Sequence, residues 1–198
     1  MRRLISNPRM ILFFVVTMCL LSFGCKTTAK YQTAQAAPHA AAAREALSKF
    51  DGLQKNIENT WTQAQKVPPT EPVGDRLQAI LDDVSPKIKQ QAVYLAAANK
   101  ELSAADKLLL PTEYHAYLRF LKNASGKKEQ ARKLSVKAVD ETTAMLKDLP
   151  TGATGMQVPL DKLTLLTQQF QTSVKLLGQA ADMQKQAEAL KTSQDIKL

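Results

Sequence analysis

Cysteine is scarce in this chain. Only two of its 198 residues are cysteines, Cys19 and Cys25, and both lie close to the N-terminus. The remainder therefore has no thiol for a disulfide, a thiolate metal site or a cysteine nucleophile. Disulfide-stapled folds, zinc ribbons and thiol-dependent enzymes are excluded for residues 26–198.

Metal and catalytic motifs are also missing. The chain has two histidines, His39 and His115, and neither follows a glutamate at the Glu-x-x-His spacing of a di-iron bundle. No C-x-x-C-H haem site, glycine-rich phosphate loop, nucleophile elbow or H-E-x-x-H sequence is present. The adjacent acids Asp82 and Asp83 would point in different directions on a helix, which does not favour a paired-carboxylate site. We predict no metal, no cofactor and no enzymatic activity; axial ligation of a noncovalent haem by the two histidines is an alternative without further support.

The segment that ends at Cys25 has the three-part layout of a secretory signal. Residues 1–9 contain three arginines, residues 10–21 form an apolar run, and Ser22, Phe23 and Gly24 lead to Cys25. The stretch from Met10 to Gly24 is shorter than the roughly 20 residues that a membrane-spanning helix needs. We therefore expect the leader to be removed, with an uncleaved membrane helix as the alternative.

This segment resembles the lipobox of bacterial lipoprotein precursors, in which a small residue precedes an obligatory cysteine. Gly24 and Cys25 match that pattern, whereas Ser22 stands where leucine is usual. The resemblance implies cleavage before Cys25, attachment of diacylglycerol there, and a permanent membrane anchor through the acyl chains. Because Lys26 is not the aspartate associated with inner-membrane retention, the resemblance favours the periplasmic face of the outer membrane in a Gram-negative cell. Ordinary signal-peptidase cleavage after Gly24 is the alternative.

Apolar residues then recur at three- and four-residue steps, which predicts helices. Residues 25–37 are expected to form the lipidated cysteine and a flexible polar tether, and residues 38–198 a single bundle domain. The sequence predicts helices at about 38–66, 75–109, 112–149 and 160–192, separated by loops rich in proline and glycine. These lengths indicate an all-α, elongated antiparallel four-helix bundle with coiled-coil-like packing.

Details of the helices can also be predicted. Asp75, Thr112 and Asp161 are suitable N-caps. Pro86 should kink the second helix, with a break and a new helix capped by Ser85 as the alternative. The core face of the fourth helix is expected to consist of Leu163, Leu166, Phe170, Val174, Leu177 and Ala181.

The charge is uneven along the chain. Removal of the three leader arginines from the 27 basic residues leaves 24 against 18 acids, an excess of six. Between residues 119 and 137 the sequence contains seven cations and a single acid, Glu129. The cations are Arg119, Lys122, Lys127, Lys128, Arg132, Lys133 and Lys137. This segment is a candidate surface for an anionic envelope component or an acidic protein, although a solvated helix face has the same pattern. Nucleic acid is not expected, because no aromatic residues are interleaved for stacking.

The sequence thus favours a non-enzymatic, membrane-anchored lipoprotein of the bacterial cell envelope, whose bundle is a structural or interaction module. A bundle that binds or senses a small apolar ligand is the alternative. Four aromatic residues, Trp61, Tyr94, Tyr114 and Tyr117, are candidates to line such a pocket, but helical spacing is more typical of core residues. The oligomeric state does not follow from the sequence.

Overall fold

The computed structural model describes residues 8–64, 72–148 and 160–197, and side chains from residue 32 onward except those of residues 64, 160, 161 and 163. Four helices form the fold: α1 (Pro8–Ala64), α2 (Val73–Asp106), α3 (Thr112–Lys147) and α4 (Leu160–Ser193). They pack against each other as a four-helix bundle, and no strand occurs in the described ranges. The predicted fold class is confirmed. The two loops predicted between the first and second and between the third and fourth helices fall largely in 65–71 and 149–159, outside the described residues.

The helix α1 begins earlier than predicted. Residues 26–37, expected to be a flexible tether, are part of this helix, and Ala36 is completely buried. Alanine has the highest helix propensity, and Ala36, Ala40 and Ala43 lie at helical spacing on the buried side of α1. The bundle core therefore begins at Ala36 rather than near Pro38.

The helix α2 is continuous through Pro86, so the alternative of a break at Ser85 is wrong. Pro72 and Pro111 occupy the N-cap positions of α2 and α3, with φ of −55° and −58°, and neither side chain caps by hydrogen bonding. The residues predicted as N-caps lie within the helices instead. Asp75 is in the first turn of α2, and Thr112 is the first residue of α3. Proline suits the extended N-cap backbone because its ring restricts φ to this region. Asp161 lies within α4, and its side chain is outside the described set.

Two apolar clusters fill the bundle. The large cluster surrounds the turn between α2 and α3, and its members are Ala36, Ala40, Ala43, Ala46, Leu47, Phe50, Leu95, Ala98, Leu102, Ala105, Leu110, Tyr114, Tyr117, Leu118, Leu121, Ala187 and Ile196. The small cluster lies toward the other end and contains Ile57, Ile80, Val84 and Ile88, with Trp61, Leu77, Val136 and Val139 packed against it. Most of the apolar residues that recur along α1 and α2 thus lie in these two clusters. The second helix, predicted to reach about residue 109, ends at Asp106, and beyond it Leu110 is buried and Leu109 is exposed.

Packing of the helices is uneven. Consecutive helices pack along their lengths, α1 and α3 approach one another only locally, and the described parts of α1 and α4 make no close backbone approach. Long polar side chains bridge that last pair, through Arg44 to Glu188 at 2.8 Å and Gln184 to Asp51 at 3.4 Å. One side of the bundle is therefore an open seam.

The α4 helix is terminated by a left-handed turn. Asp195 has φ = 47°, and the amide of Ile196 donates a hydrogen bond to the carbonyl of Lys191. This pattern is that of a Schellman motif, in which a left-handed residue returns the chain onto its own helix. As a result, Ile196 is buried in the large cluster.

Candidate interaction surface

The predicted lipidation site lies on α1. Gly24 and Cys25 are helical, but their side chains are outside the described set. Cleavage and lipidation at this point stay predictions. The structure does give the spacing to the bundle, since the helix is unbroken from Cys25 to Ala36, a rise of about 16 Å.

Lys128 is the clearest departure from the predicted basic surface. Its side chain is 2 % exposed, its Nζ donates a hydrogen bond to Oδ1 of Asp51, and Nζ lies 5.1 Å from the centroid of the Phe50 ring. Positions 121, 124, 128 and 131 lie on the inner side of α3, where three of the four residues are apolar. The prediction that Lys128 belongs to a partner surface is wrong, because its position on the helix directs it into the bundle.

Burial and pairing with Asp51 shift the pKa of Lys128 in opposite directions. Loss of water lowers its pKa, and the hydrogen bond and charge of Asp51 raise it, with burial the larger effect. Asp51 itself is 47 % exposed in its side chain and also accepts a hydrogen bond from Gln184. The ammonium group of the pair is therefore buried inside the bundle, and the carboxylate is partly exposed to water at the seam between α1 and α4.

A polar layer extends from this pair across the core. Nε2 of the buried Gln91 donates a hydrogen bond to Oε1 of Gln54 at 3.1 Å, and Ser125 donates to Asn99 at 2.8 Å. Along α1, α2 and α3, the residues Asp51, Gln54, Gln91, Ser125 and Lys128 fall between members of the large and small clusters. We call Asp51, Gln54, Gln91, Lys128 and Gln184 the polar layer.

Sequence reasoning did not find the polar layer, although a signal exists. Gln91 lies between Ile88 and Leu95 at helical spacing from both, and since both are buried it occupies a core position of α2. A glutamine at such a position, and a lysine at the equivalent position of α3, indicate a polar crossing of the core. The partner on α1 is not encoded by periodicity, because Asp51 lies at the margin of its helix's apolar face.

Three other cations of the predicted surface are held by acids. Lys122 contacts Asp106 at 2.5 Å, Arg132 makes two 2.8 Å hydrogen bonds to Glu129, and Lys133 lies 3.9 Å from the same carboxylate. The ammonium of Lys122 lowers the pKa of Asp106, and the guanidinium of Arg132 lowers that of Glu129. These contacts neutralise part of the segment's charge.

The seven cations of this segment do not all lie on one face of α3. At about 100° per residue, Arg119, Lys122, Lys133 and Lys137 lie within about 60° of one another, whereas Lys127 lies about 80° from Arg119. We call the first four the basic row; it extends about 27 Å along α3. Within the described ranges, Arg119, Lys127 and Lys137 form no ion pair with an acidic group. The seven-residue surface predicted from the sequence is thus reduced to a narrower row on the outer side of α3.

Each of the two histidines lies close to one acidic side chain. Nδ1 of His39 lies 2.6 Å from Glu101, and Nδ1 of His115 lies 3.7 Å from Asp106. Across the described residues, no group of three or more His, Cys, Asp or Glu could hold a metal ion.

The four aromatics do not form a common pocket. Tyr114 and Tyr117 are buried edge to face in the large cluster with ring centroids 5.9 Å apart, and Tyr94 packs against the same cluster. Trp61 contributes to the small cluster instead. The interpretation of these side chains as core residues is confirmed.

The described part of the chain has a surface groove at each of two places. One, of 370 Å³, lies beside the turn between α2 and α3 and is lined by Asp106, Thr112, His115, Ala116, Arg119 and Lys122. The other, of 720 Å³, follows the open seam, where Leu121 is buried below a rim of polar residues that includes Arg44, Ser48 and Lys185. Some of the polar groups that line each groove are paired with one another, Lys122 with Asp106 in the first and Arg44 with Glu188 in the second.

The α4 helix departs from its predicted face. Phe170 and Val174 are 61 % and 50 % exposed, and Ala181 is also exposed, while Gln169 and Ser173 are buried. Leu166 and Leu177 are half-buried, and the side chain of Leu163 is outside the described set. The prediction that Phe170, Val174 and Ala181 form the core face is wrong, because α4 packs on α3 through a strip of smaller and more polar side chains.

Over the described residues, none of the helices is long and apolar enough to cross a membrane.

The chain was also compared with known proteins. No protein-family model, no curated protein and no solved structure matches the sequence or the fold.

Proposed function

We propose that this protein is a non-enzymatic lipoprotein of the bacterial cell envelope, anchored through a diacylglycerol group on Cys25. Its bundle is an interaction module that presents the basic row of α3 to an anionic partner. The partner is an anionic polymer of the envelope surface or an acidic protein, and the outer membrane is the expected location. The layout of residues 1–25 supports the anchor, and the exposure of the basic row supports the partner class.

The observation that carries the proposal is the short helical connection between Cys25 and the core. Cys25 precedes the buried Ala36 on the same helix, so cleavage before Cys25 leaves in place every core residue among the described side chains. Two or three acyl chains, each stabilised by about 0.8 kcal/mol per buried methylene, are sufficient to retain a soluble bundle at a membrane. The turn between α2 and α3 belongs to the cluster that contains Ala36, so this end of the bundle is the one nearer to the anchor.

The basic row supports an electrostatic interaction. Four cations spread over about 27 Å match an extended anion better than a small one. Because Arg119 and Lys137 at its ends lack acidic partners in the described structure, their charge is available to such a ligand. Binding of this kind weakens as salt rises, since the Debye length falls to about 8 Å at physiological ionic strength.

Labelling with a fatty acid tests the anchor. The native chain, Cys25→Ala and Cys19→Ala are expressed in a bacterial host supplied with a labelled fatty acid, and label and membrane fractionation are followed together. Cys19→Ala is the matched control, because it removes the other cysteine of the same leader. We expect label and membrane retention in the native chain and in Cys19→Ala, and loss of both in Cys25→Ala. A native chain that is cleaved, unlabelled and released from the membrane would contradict the proposal.

A further inference from the structure

The first half of α4 has an unusual distribution of polar and apolar side chains. Against α3 it buries Gln169, whose Nε2 donates a hydrogen bond to Glu141 at 3.0 Å, and Ser173, whose hydroxyl lies 3.5 Å from the carbonyl of Ala131. The adjacent Phe170 and Val174 are 61 % and 50 % exposed. A helix that buries Gln and Ser while it exposes Phe and Val has an apolar surface outside the contact with α3, and an exposed apolar surface is typical of an interaction site.

The exposed side chains point toward the open seam. Glu188 follows Phe170 by about five full helical turns, so the two residues lie at the same angle around α4. Glu188 faces α1, since it pairs with Arg44 at 2.8 Å. At the level of Phe170, no described residue of α1 makes a close backbone approach to α4. The same side of α4 that is bridged by polar residues near Glu188 therefore has no described residue of α1 close to its backbone near Phe170, and the Phe170 side chain is exposed.

We propose that this surface binds a second copy of the same chain, with the two α4 helices antiparallel. The surface, which we call the apolar stripe, is formed by Leu166, Phe170, Val174 and Ala181, with Leu177 at its inner edge, where it also packs against the large cluster. It covers about four turns, or about 22 Å. The inference does not rest on the lipid anchor.

The apolar stripe is complementary to itself. A two-fold axis near residue 172 places Phe170 opposite Val174 of the second copy and Leu166 opposite Gly178 of the second copy. A Cβ at Gly178 would meet no atom within 4 Å, so the second helix can approach there without a clash. Phe170 thus meets Val174 close to the axis, and Leu166 meets the open backbone at Gly178 beside the stripe, so the surface can pack on a second copy of itself in an isologous contact.

Charge also favours a second copy as the occupant. The α4 helix contains four lysines and three acids, and the same two-fold axis places the exposed Lys162 opposite the exposed Asp182 of the second copy, so these charges attract one another across the contact. The area of a four-turn helix pair is smaller than the roughly 800 Å² per partner of a standard interface. The dimer is therefore weak in dilute solution, and the test has to detect it at the local concentration in the cell.

Disulfide trapping in cells tests the proposal. Two differently tagged full-length chains, one Phe170→Cys and one Val174→Cys, are co-expressed and treated with a mild oxidant, and the mixed dimer is quantified. Val93→Cys in both chains is the matched control, because Val93 is 56 % exposed on α2, outside the apolar stripe. The unsubstituted chain reports any background from Cys19 and Cys25.

We expect the mixed dimer of the 170 and 174 variants to exceed the Val93→Cys dimer at least fivefold. Adding Phe170→Glu to the Val174→Cys chain should reduce trapping to the control yield while circular dichroism remains helical. A yield no higher than the Val93→Cys control, a larger yield from 170 to 170 than from 170 to 174, or capture of a different protein at 170 would overturn the proposal. Repeating the oxidation with Cys25→Ala separates this inference from the proposed function, because that variant lacks the lipidation residue and keeps the apolar stripe.

Discussion

Lys128 on α3 donates a hydrogen bond to Asp51 on α1, 77 residues away in the chain and on the helix diagonally across the bundle. The lysine is buried and the aspartate is half exposed, so the pair runs from the middle of the core to the open seam. It lies between the large and small apolar clusters, where α1 and α3 have few other contacts. A single polar pair at such a point specifies how far one helix is shifted along the other, because any other register leaves the ammonium group unpaired.

Removal of the two partners should have unequal effects on stability. In Asp51→Asn the buried ammonium group loses its counter-charge, and we expect the free energy of unfolding to fall by about 2 to 3 kcal/mol, less than for a fully buried pair because half of Asp51 is in water. In Lys128→Met the aliphatic volume is retained and the remaining carboxylate can be hydrated, so the loss should stay below about 1 kcal/mol. Urea unfolding followed by circular dichroism measures both.

Asp182→Asn is the matched control for this comparison, because Asp182 is exposed and its one ion pair among the described residues is the 3.9 Å contact with Lys185. It should change stability by less than about 0.5 kcal/mol. Equal losses in Asp51→Asn and Asp182→Asn would show that the buried pair does not contribute to the fold.

Buried tyrosines should limit stability at alkaline pH. Burial raises the pKa of Tyr114 from its ordinary value near 10 to about 12, and it raises that of Tyr117 further. Since both pKa values are raised by folding, their contribution is complete below pH 10 and is lost as pH rises through 10 to 12. The lowered pKa of Lys128 has the opposite sign, but its effect on stability is complete near pH 10.5, so the tyrosines dominate above that pH.

Tyr117→Phe tests this pH dependence. The hydroxyl of Tyr117 has no hydrogen-bond partner among the described residues, so its removal should raise stability at pH 7 by about 1 kcal/mol and flatten the decline above pH 10. Tyrosinate absorbance in the near ultraviolet and the melting temperature, followed from pH 8 to 12, provide the measurement. The half-buried Tyr94→Phe is the control, and an equal change in both variants would argue against burial of Tyr117 as the cause.

The left-handed residue at the end of α4 offers a separate test of the fold. Asp195 has φ = 47°, a conformation that glycine adopts without the steric cost of a Cβ. We expect Asp195→Gly to stabilise the bundle by about 0.5 kcal/mol and Asp195→Val to destabilise it by about 1 kcal/mol. Thermal unfolding should rank the variants in that order, and a Val variant as stable as the native chain would mean that Ile196 does not need this turn to reach the core.

Local sequence patterns were sufficient to predict four helices. Residues such as Leu47, Phe50, Val84 and Ile88 recur at three- and four-residue steps, and prolines separate the runs, so the helices and their approximate ends follow from periodicity. The exact caps did not follow, because Pro72 supplies by backbone shape what Asp75 would supply by hydrogen bonding. The start of α1 was missed since its alanine-rich, polar segment has helix propensity but little apolar periodicity.

The surface was less predictable, because it depends on which face each helix turns inward. Seven cations between Arg119 and Lys137 suggest one basic patch, yet a helix distributes them around its circumference, and Lys128 is directed inward. For α4, hydrophobicity predicts Phe170 in the core, whereas packing on α3 selects the narrower strip that contains Ser173 and Ala180. Such choices are made by tertiary packing, which one helix's sequence does not specify.

Reversal of charge in the basic row should separate specific binding from a solvated helix face. Lys133→Glu with Lys137→Glu changes two exposed residues of the row, and Lys89→Glu with Lys100→Glu changes the same number of exposed lysines on α2. Because both pairs alter the net charge by four, an interaction that depends only on total charge responds equally to both. Photo-cross-linking in intact cells from a photoreactive residue at the exposed Gln130, which lies beside the basic row and is the same in both variants, with quantification of the captured envelope component, measures the difference. We expect the α3 variant to lose at least fivefold more product than the α2 variant and to show a weaker salt dependence, and equal losses would assign the basic row to solvation alone.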